Sequence, residues 1–127
     1  MIDIALLFYY IEYMPRYHSL SLSKTEEMLL LAVLRLGENA YGAAVRRLVS
    51  EQLGKPVSVG AVYIPLDRLT GRSLLITFTG DPTPERGGRS KRYYRLTAMG
   101  MDALQESRDL NEAIWKDIPD LSDSASS

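Results

Sequence analysis

The strongest chemical signal in the sequence is a short basic segment. Between Glu85 and Arg95 five cations stand against one acid, a net charge of +4 in 11 residues. Cations at this density favour contact with a phosphate backbone. Gly87 and Gly88 allow the chain between these cations to be flexible. The alternative is a solvated turn that the charges keep soluble. The five cations are Arg86, Arg89, Lys91, Arg92 and Arg95.

The side chains needed for catalysis or for metal binding are largely missing. The chain has no cysteine and one histidine, His18, which excludes disulfides, thiolate nucleophiles and a multi-histidine metal site. No glycine-rich phosphate loop follows a strand, because Gly87 and Gly88 fall between two predicted strands. We therefore predict a protein that is not an enzyme and that holds neither a metal nor a cofactor.

Charge is unevenly distributed along the 127 residues. The formal net charge is −1, yet Lys24 to Arg95 contains 12 basic and 7 acidic residues, and Asp102 to Ser127 contains 2 basic and 7 acidic residues. A basic segment from Lys24 to Arg95 is compatible with nucleic-acid binding even when the whole chain is nearly neutral. The length suits one domain, and the lack of cysteine fits a cytoplasmic protein.

Capping signals and periodicity predict an α+β fold that is mostly helical. Ser23 and Glu26 form a capping box at the start of the first helix, and Gly37 ends that helix. Ser58 and Thr97 are the N-caps of two later helices. The predicted helices are 24–36, 42–53, 59–70 and 98–116, and the predicted strands, which form a hairpin, are 74–79 and 91–96.

Apolar stripes predict which helix faces are buried. Pro65 inside the third helix has two interpretations, either that the helix begins later or that a bend at Pro65 directs its first turn. The stripe of the second helix comprises Ala44, Val45, Leu48, Val49 and Leu53, and that of the third comprises Val62, Leu66 and Leu69.

The second and third helices, joined by a tight turn, are typical of a helix-turn-helix. The third helix begins with the small residues Ser58, Gly60 and Ala61, which let the backbone approach a DNA groove. Tyr63 and Arg68 are long enough to reach DNA. The alternative is a helical hairpin that binds nothing.

The last helix carries small and apolar residues at a spacing of three to four, so one of its faces can pair with another helix. Tyr93 and Tyr94 must point to opposite faces of their strand. Trp115 is predicted to anchor a dimer or the core, and the alternative is that it walls a pocket for a small aromatic effector between two subunits. The predicted pairing face comprises Gly100, Ala103, Ser107, Leu110 and Ile114.

The first residues, Met1 to Met14, are apolar and aromatic. They are too few to span a bilayer, which takes about 20 residues, and the first charge, Asp3, does not fit a signal peptide. We interpret the segment as an additional helix that packs on the domain or on a partner chain. The alternative is that the natural start lies downstream, at Met14.

Six segments in this order resemble the PadR family of transcriptional regulators, over about Ser21 to Trp115. They are Thr25-Glu-Glu-Met-Leu-Leu-Leu-Ala, Asn39-Ala-Tyr-Gly, Ser58-Val-Gly-Ala-Val-Tyr, Pro65-Leu-Asp-Arg-Leu, Pro82-Thr-Pro-Glu-Arg-Gly-Gly-Arg and Lys91-Arg-Tyr-Tyr-Arg-Leu-Thr-Ala-Met-Gly.

This resemblance implies a winged helix-turn-helix with a two-stranded β wing and with N- and C-terminal helices, in a bacterial repressor that acts as a homodimer on operator DNA. We therefore expect the DNA-binding domain at 19–97 and a dimerisation helix at 98–117. Outside this common core, composition predicts an apolar extension at 1–18, which departs from the family pattern, and a disordered tail at 118–127. The implied DNA contacts are Ser58, Gly60, Ala61, Tyr63 and Arg68 on the recognition helix and Arg86, Arg89 and Lys91 on the wing. Lys24 and Tyr41 are implied contacts to the DNA backbone. The implied dimer contacts are Ala103, Ser107, Leu110, Ile114 and Trp115.

The sequence departs from the family pattern after the third helix, where Ser73 stands in place of the usual glycine. If Ser73 adopts the left-handed conformation, the cost is about 1 kcal/mol. The C-terminal region is also short, which argues against ligand sensing through a larger C-terminal domain. A second hypothesis for the whole chain is a winged-helix adaptor that binds a protein partner through the apolar segment Met1 to Met14.

Overall fold

The computed structural model describes residues 4–5, 22–80 and 90–122. The predictions for the segment Met1 to Met14, for Arg86 and Arg89 in the wing, and for the last five residues therefore lie almost wholly outside the described residues. The elements between residues 22 and 122 are α1 (Lys24–Leu36), a short 3₁₀ helix (Gly37–Asn39), α2 (Gly42–Leu53), α3 (Val59–Gly71), β1 (Leu75–Thr79), β2 (Arg92–Leu96) and α4 (Ala98–Trp115).

Helix α1 has the predicted capping box. The Ser23 hydroxyl accepts a hydrogen bond from the Glu26 backbone N–H at 3.1 Å, and the Glu26 carboxylate accepts one from the Ser23 N–H at 2.8 Å. Gly37, with a φ of 56°, ends the helix as predicted. The face of α1 that the rest of the domain covers is apolar and consists of Leu29, Leu30, Ala32 and Val33.

Helices α2 and α3 form the predicted pair. The α3 stripe of Val62, Leu66 and Leu69 is fully buried, as are Ala44, Val45 and Val49 of α2. The α2 prediction is wrong at Leu53, whose side chain is 46% exposed. The helix ends at Leu53, and Gly54 is its C-cap in the left-handed conformation.

Pro65 lies inside α3 without interrupting it. The helix begins at Val59 and runs through the proline to Gly71, so the interpretation that it begins later is wrong. Proline has no N–H, so the carbonyl of Ala61 has no intrahelical partner.

The two strands pair antiparallel in a register that sets Leu75 opposite Leu96 and Phe78 opposite Tyr93. Each strand begins one residue later than predicted. Residues just before α2 extend this sheet, since the Tyr94 N–H donates to the Ala40 carbonyl at 2.8 Å. Helices α1 to α3 followed by this hairpin are the architecture of a winged helix-turn-helix.

Ser73 has a φ of 64° and is therefore in the left-handed conformation that its position predicted. It follows the end of α3 and precedes Leu74, which is buried. The turn thus places a serine where a glycine would be free of strain, at a cost of about 1 kcal/mol.

Helix α4 begins at its predicted cap, with the Thr97 hydroxyl accepting from the Gly100 N–H at 2.9 Å. Gly100 lies against the backbone carbonyl of Leu74 with no room for a Cβ atom. Ala103 and Leu104 complete the buried face of this helix. None of the described helices is both long and apolar enough to cross a membrane.

Candidate nucleic-acid interface

The first turn of α3 is exposed, and it includes the apolar side chain of Val59, which is 54% exposed. Ser58, Gly60 and Ala61 are all exposed, and the Ser58 hydroxyl caps the helix by accepting from the Ala61 N–H at 3.1 Å. A Cβ atom added to Gly60 would meet only the tip of Ile64, at an ordinary 3.7 Å. Nothing inside the described chain therefore requires a glycine at this position.

Tyr63 is held by packing. Its ring and hydroxyl lie against Gly42, the first residue of α2, where a Cβ atom would overlap them. The tyrosine is half-buried, so only part of it is available to another molecule. The pair fixes the middle of α3 against the start of α2, a role that the sequence did not suggest for Tyr63.

The outer face of α3 continues from Gly60 through two exposed residues, Ile64 and Arg68. Sequence reasoning selected Arg68 but missed Ile64, which is 55% exposed. The signal was the spacing of four from Gly60 to Ile64 to Arg68, which keeps all three off the buried stripe. An exposed apolar side chain beside an arginine suits base edges, because the thymine methyl offers an apolar contact and guanine offers two acceptors.

An ion pair connects α3 with the hairpin. Arg92 lies 3.5 Å from Asp67, with both side chains more than half exposed. Water screens such a pair, so its contribution to stability is about 0–1 kcal/mol. Its value for the site is positional, because it sets a wing cation beside the outer face of α3. Sequence reasoning missed Asp67.

Tyr41 and Lys91, both predicted DNA contacts, lie together. The Lys91 ammonium is 4.0 Å from the centroid of the Tyr41 ring, and Tyr41 meets Tyr93 edge to face at 5.8 Å. Phe78 stacks on Tyr93 at 5.6 Å, and Arg95 lies over Phe78 at 5.1 Å. The outer face of the hairpin base is thus a layer of aromatic rings with cations over them.

Lys24 lies apart from the start of α3. It is an exposed residue at the beginning of α1, 4.0 Å from Glu27. The neighbouring Glu26 pairs with Arg72 at 3.0 Å, which places the start of α1 beside the end of α3. The remaining predicted wing contacts, Arg86 and Arg89, are outside the described residues.

The predicted dimer contacts on α4 divide into two groups. Ala103 is 2% exposed and packs inside its own chain, and the Ser107 hydroxyl donates to the Glu27 carboxylate at 3.1 Å. Leu110 is half-buried. Ile114 and Trp115 are 61% and 52% exposed, so Trp115 is not a core anchor of this chain.

Tyr94 is the largest fully buried side chain, and its hydroxyl has no hydrogen-bond partner among the described residues. Burial raises the pKa of this phenol, and the nearby Arg92 opposes the rise. Tyr93 on the opposite face is half-buried, as the alternation of strand faces predicted.

The fold and the exposed start of α3 define a winged helix-turn-helix protein. The chain matches the family model of the transcriptional regulator PadR-like family over residues 30–106. It therefore belongs to that family, whose members are transcription regulators and not enzymes. The resemblance predicted from the six segments is confirmed.

Solved structures of similar fold include the RosR protein of H. salinarum in the complex hsRosR-SG, at 28% identity and a TM-score of 0.57 over 82% of this chain and 83% of that one. A PadR family regulator from Clostridium difficile R20291 has 24% identity and a TM-score of 0.55, covering 70% of this chain and 91% of its own. One from Eggerthella lenta has 22% identity and a TM-score of 0.55, covering 87% of each. No curated protein sequence matches the chain.

Proposed function

We propose that the chain is a sequence-specific DNA-binding repressor that acts as a homodimer on a near-palindromic operator. As a regulator of bacterial genes, it would act in the cytoplasm. Membership of the PadR-like family supports the regulatory role, and the proposed parts are the DNA contacts, the dimer and the direction of control.

The observation that carries the proposal is the exposed first turn of α3, in which Gly60 has no side chain. A recognition helix enters the major groove by its N-terminal end. Here that end exposes Ser58, Val59, Gly60 and Ala61, and Gly60 has no packing reason to lack a side chain. Ile64 and Arg68 follow one and two turns further along the same face, where they would meet base edges.

The hairpin would supply sequence-independent affinity. Lys91 and Arg92 lie at the base of the wing, and Arg92 is already beside α3 through Asp67. Arg86 and Arg89, at the predicted tip, would add further phosphate contacts. Such contacts release counterions, so the affinity should fall steeply with salt.

The exposed end of α4 would hold the dimer. Ile114, Trp115 and, beyond the helix, Ile118 are each at least half exposed, which is a costly arrangement for a chain that stays alone in water. Two copies paired through this end and Leu110 would present two recognition helices, and a near-palindromic site would need them about 34 Å apart.

The first experiment measures binding of the purified protein to a duplex from its own upstream region and to a random duplex, at two salt concentrations. We expect tight, salt-sensitive and sequence-selective binding by two chains per site. Arg68→Ala should weaken binding to the upstream duplex roughly ten-fold, about 1.4 kcal/mol, and the matched variant Arg35→Ala, on α1, should not. Equal weak binding to both duplexes would contradict the proposal and favour the adaptor hypothesis.

Repression is tested separately with a reporter gene behind the upstream region. Expression of the chain should lower the reporter signal, and an increase would mean that the protein is an activator. Light scattering of the free protein and of the variant Trp115→Ala tests the dimer. A monomeric wild-type chain would contradict that part of the proposal alone.

A further inference from the structure

The outer face of α3 has a small apolar depression at Gly60. The side chain of Ile64, one turn further along the helix, lies beside it and is 55% exposed. A Cβ atom placed on Gly60 would lie 3.7 Å from the Ile64 Cδ1 atom, and apart from the helix backbone and the two adjacent residues no other atom of the described chain lies within 4 Å. One methyl-sized group therefore fits here in contact with Ile64. We call this space, defined by Gly60 and Ile64, the α3 notch.

The residues on either side of Gly60 in the chain are apolar as well. Val59 is 54% exposed, and Ala61 is exposed. Neither side chain has a hydrogen-bond donor or acceptor. A polar ligand group would therefore gain no hydrogen bond from the side chains around the α3 notch, whereas an apolar group would remove apolar surface from water.

The first two turns of α3 lack the side chains that usually read bases. Arg, Lys, Asn and Gln do so through paired hydrogen bonds, and the first of them in α3 is Arg68, about 12 Å along the helix axis from Gly60. Tyr63 is the one polar side chain before Asp67, and its hydroxyl lies against Gly42 of α2. This part of α3 thus favours an apolar contact over a hydrogen-bonded one.

The charges near the α3 notch fit a polyanion. Arg68 is exposed one turn beyond Ile64. Asp67, the one acid of α3, lies 3.5 Å from Arg92 of the hairpin, so its charge is balanced. An apolar depression on a positively charged surface suits the major groove of DNA, which combines phosphates at its edges with methyl groups on its floor.

We propose that the α3 notch receives the C5-methyl group of a pyrimidine, so that each operator half-site carries a thymine at this point. This inference rests on the proposed function. Thymine is the one standard base that presents a methyl group in the major groove. The methyl of 5-methylcytosine occupies the same ring position, so methylation of a cytosine placed there strengthens binding. The chain thereby selects its site through methyl groups, without a hydrogen bond at this position.

The test uses deoxyuridine, which differs from thymidine by the methyl group alone. In the operator duplex that the wild-type protein selects, each thymine is replaced in turn, in both half-sites at once, and the affinity is measured. The variants are Ile64→Ala and Gly60→Ala. The matched control is Ile76→Ala, since this isoleucine of β1 is 48% exposed and lies outside α3. Circular dichroism and light scattering confirm that each variant keeps the wild-type fold and oligomeric state.

The wild-type protein and Ile76→Ala should lose affinity at one thymine position, roughly four-fold for each half-site, which is the effect of burying about one methyl group. Ile64→Ala should bind the thymidine and deoxyuridine duplexes equally at that position. Gly60→Ala should do the same, because its own methyl group fills the α3 notch.

A second comparison replaces that thymine pair with a C·G pair. The duplex with 5-methylcytosine should bind wild-type protein roughly four-fold more tightly for each half-site than the duplex with cytosine. Equal binding of these two duplexes would overturn the inference.

The remaining outcomes separate this inference from the proposed function. A wild-type protein that selects no duplex overturns both. Selective binding that is indifferent to deoxyuridine at every position overturns the inference and leaves the proposed function standing. A deoxyuridine effect that Ile64→Ala and Gly60→Ala retain in full means that another group contacts the methyl, and it likewise overturns the inference alone.

Discussion

Helices α3 and α4 begin with the same local chemistry, but their first turns lie in opposite environments. Each has a hydroxyl N-cap, Ser58 or Thr97, that accepts from a backbone N–H in the first turn. Each also has a glycine in that turn. A Cβ atom at Gly60 of α3 would meet only the tip of Ile64, at ordinary contact distance, whereas Gly100 of α4 is pressed against the carbonyl of Leu74.

The start of α4 is built into the domain by further bonds. The Thr97 hydroxyl donates to the Ser73 carbonyl at 2.6 Å, and the Thr97 N–H donates to the Leu74 carbonyl at 3.2 Å. The cap of α3 is local, since the hydrogen bond of Ser58 is to Ala61, within its own first turn.

This difference distinguishes a glycine that packing requires from a glycine that packing does not require. At Gly100 the absence of a side chain is explained by a neighbour in the same chain, so the residue serves the fold. At Gly60 no neighbour explains it, and in a transcription regulator the simplest account is a molecule outside the chain. Four predictions test this contrast, from the largest expected effect to the smallest.

Gly100→Ala should cost about 3 kcal/mol of unfolding free energy, because a methyl group would overlap a backbone carbonyl that cannot move alone. The measurement is the midpoint of urea unfolding at an unchanged m-value. Gly71→Ala is the matched control, since nothing lies within 4 Å of its added Cβ. If both variants unfold at the wild-type midpoint, the contact of Gly100 with the Leu74 carbonyl does not require a glycine.

Thr97→Ala should cost about 2 kcal/mol and Ser58→Ala about 1 kcal/mol, because both variants lose a cap and only the first also loses a tertiary hydrogen bond. Thermal unfolding compares the two. Thr97→Ser, which keeps the hydroxyl, should lie close to wild type. Equal losses at the two caps would mean that the bond to Ser73 contributes nothing.

Gly60→Ala should raise the unfolding free energy by about 0.5 kcal/mol, because alanine is the better helix former, yet weaken binding to the upstream duplex roughly ten-fold, about 1.4 kcal/mol. Binding and stability are measured on the same preparation. Unchanged affinity would show that the first turn of α3 does not approach DNA closely.

Ser73→Gly should raise the unfolding free energy by about 1 kcal/mol, since glycine adopts the φ of 64° without strain. Ser73→Ala keeps a Cβ atom and should show no such gain in a thermal unfolding experiment. A glycine variant no more stable than the alanine variant would mean that the turn before α4 is not strained.

Most element boundaries could be predicted from the sequence to within one residue. The capping box at Ser23, the caps at Ser58 and Thr97 and the stop at Gly37 are made between residues three or four apart, so they can be read locally. The burial of individual stripe residues was less certain. Leu53 belongs to an apolar stripe and is exposed, because burial depends on what packs over the helix.

The candidate site was predicted in part. Ser58, Gly60, Ala61 and Arg68 are exposed on α3 as a DNA contact requires, although their role stays a prediction. Ile64 was missed despite its spacing of four from Gly60. Arg46 was not among the predicted contacts, and only the fold of the turn shows it bonded to the Val57 carbonyl.

The sequence by itself determined where the helices and strands lie and which family the chain resembles, because caps, periodicity and short motifs are local properties. The tertiary structure alone decided that Gly42 and Gly100 are packed against neighbours while Gly60 is not, that Ala103 faces its own domain, and that Arg92 of the hairpin lies beside α3. Each of these depends on an element distant in the chain, and a sequence pattern does not contain the position of that element.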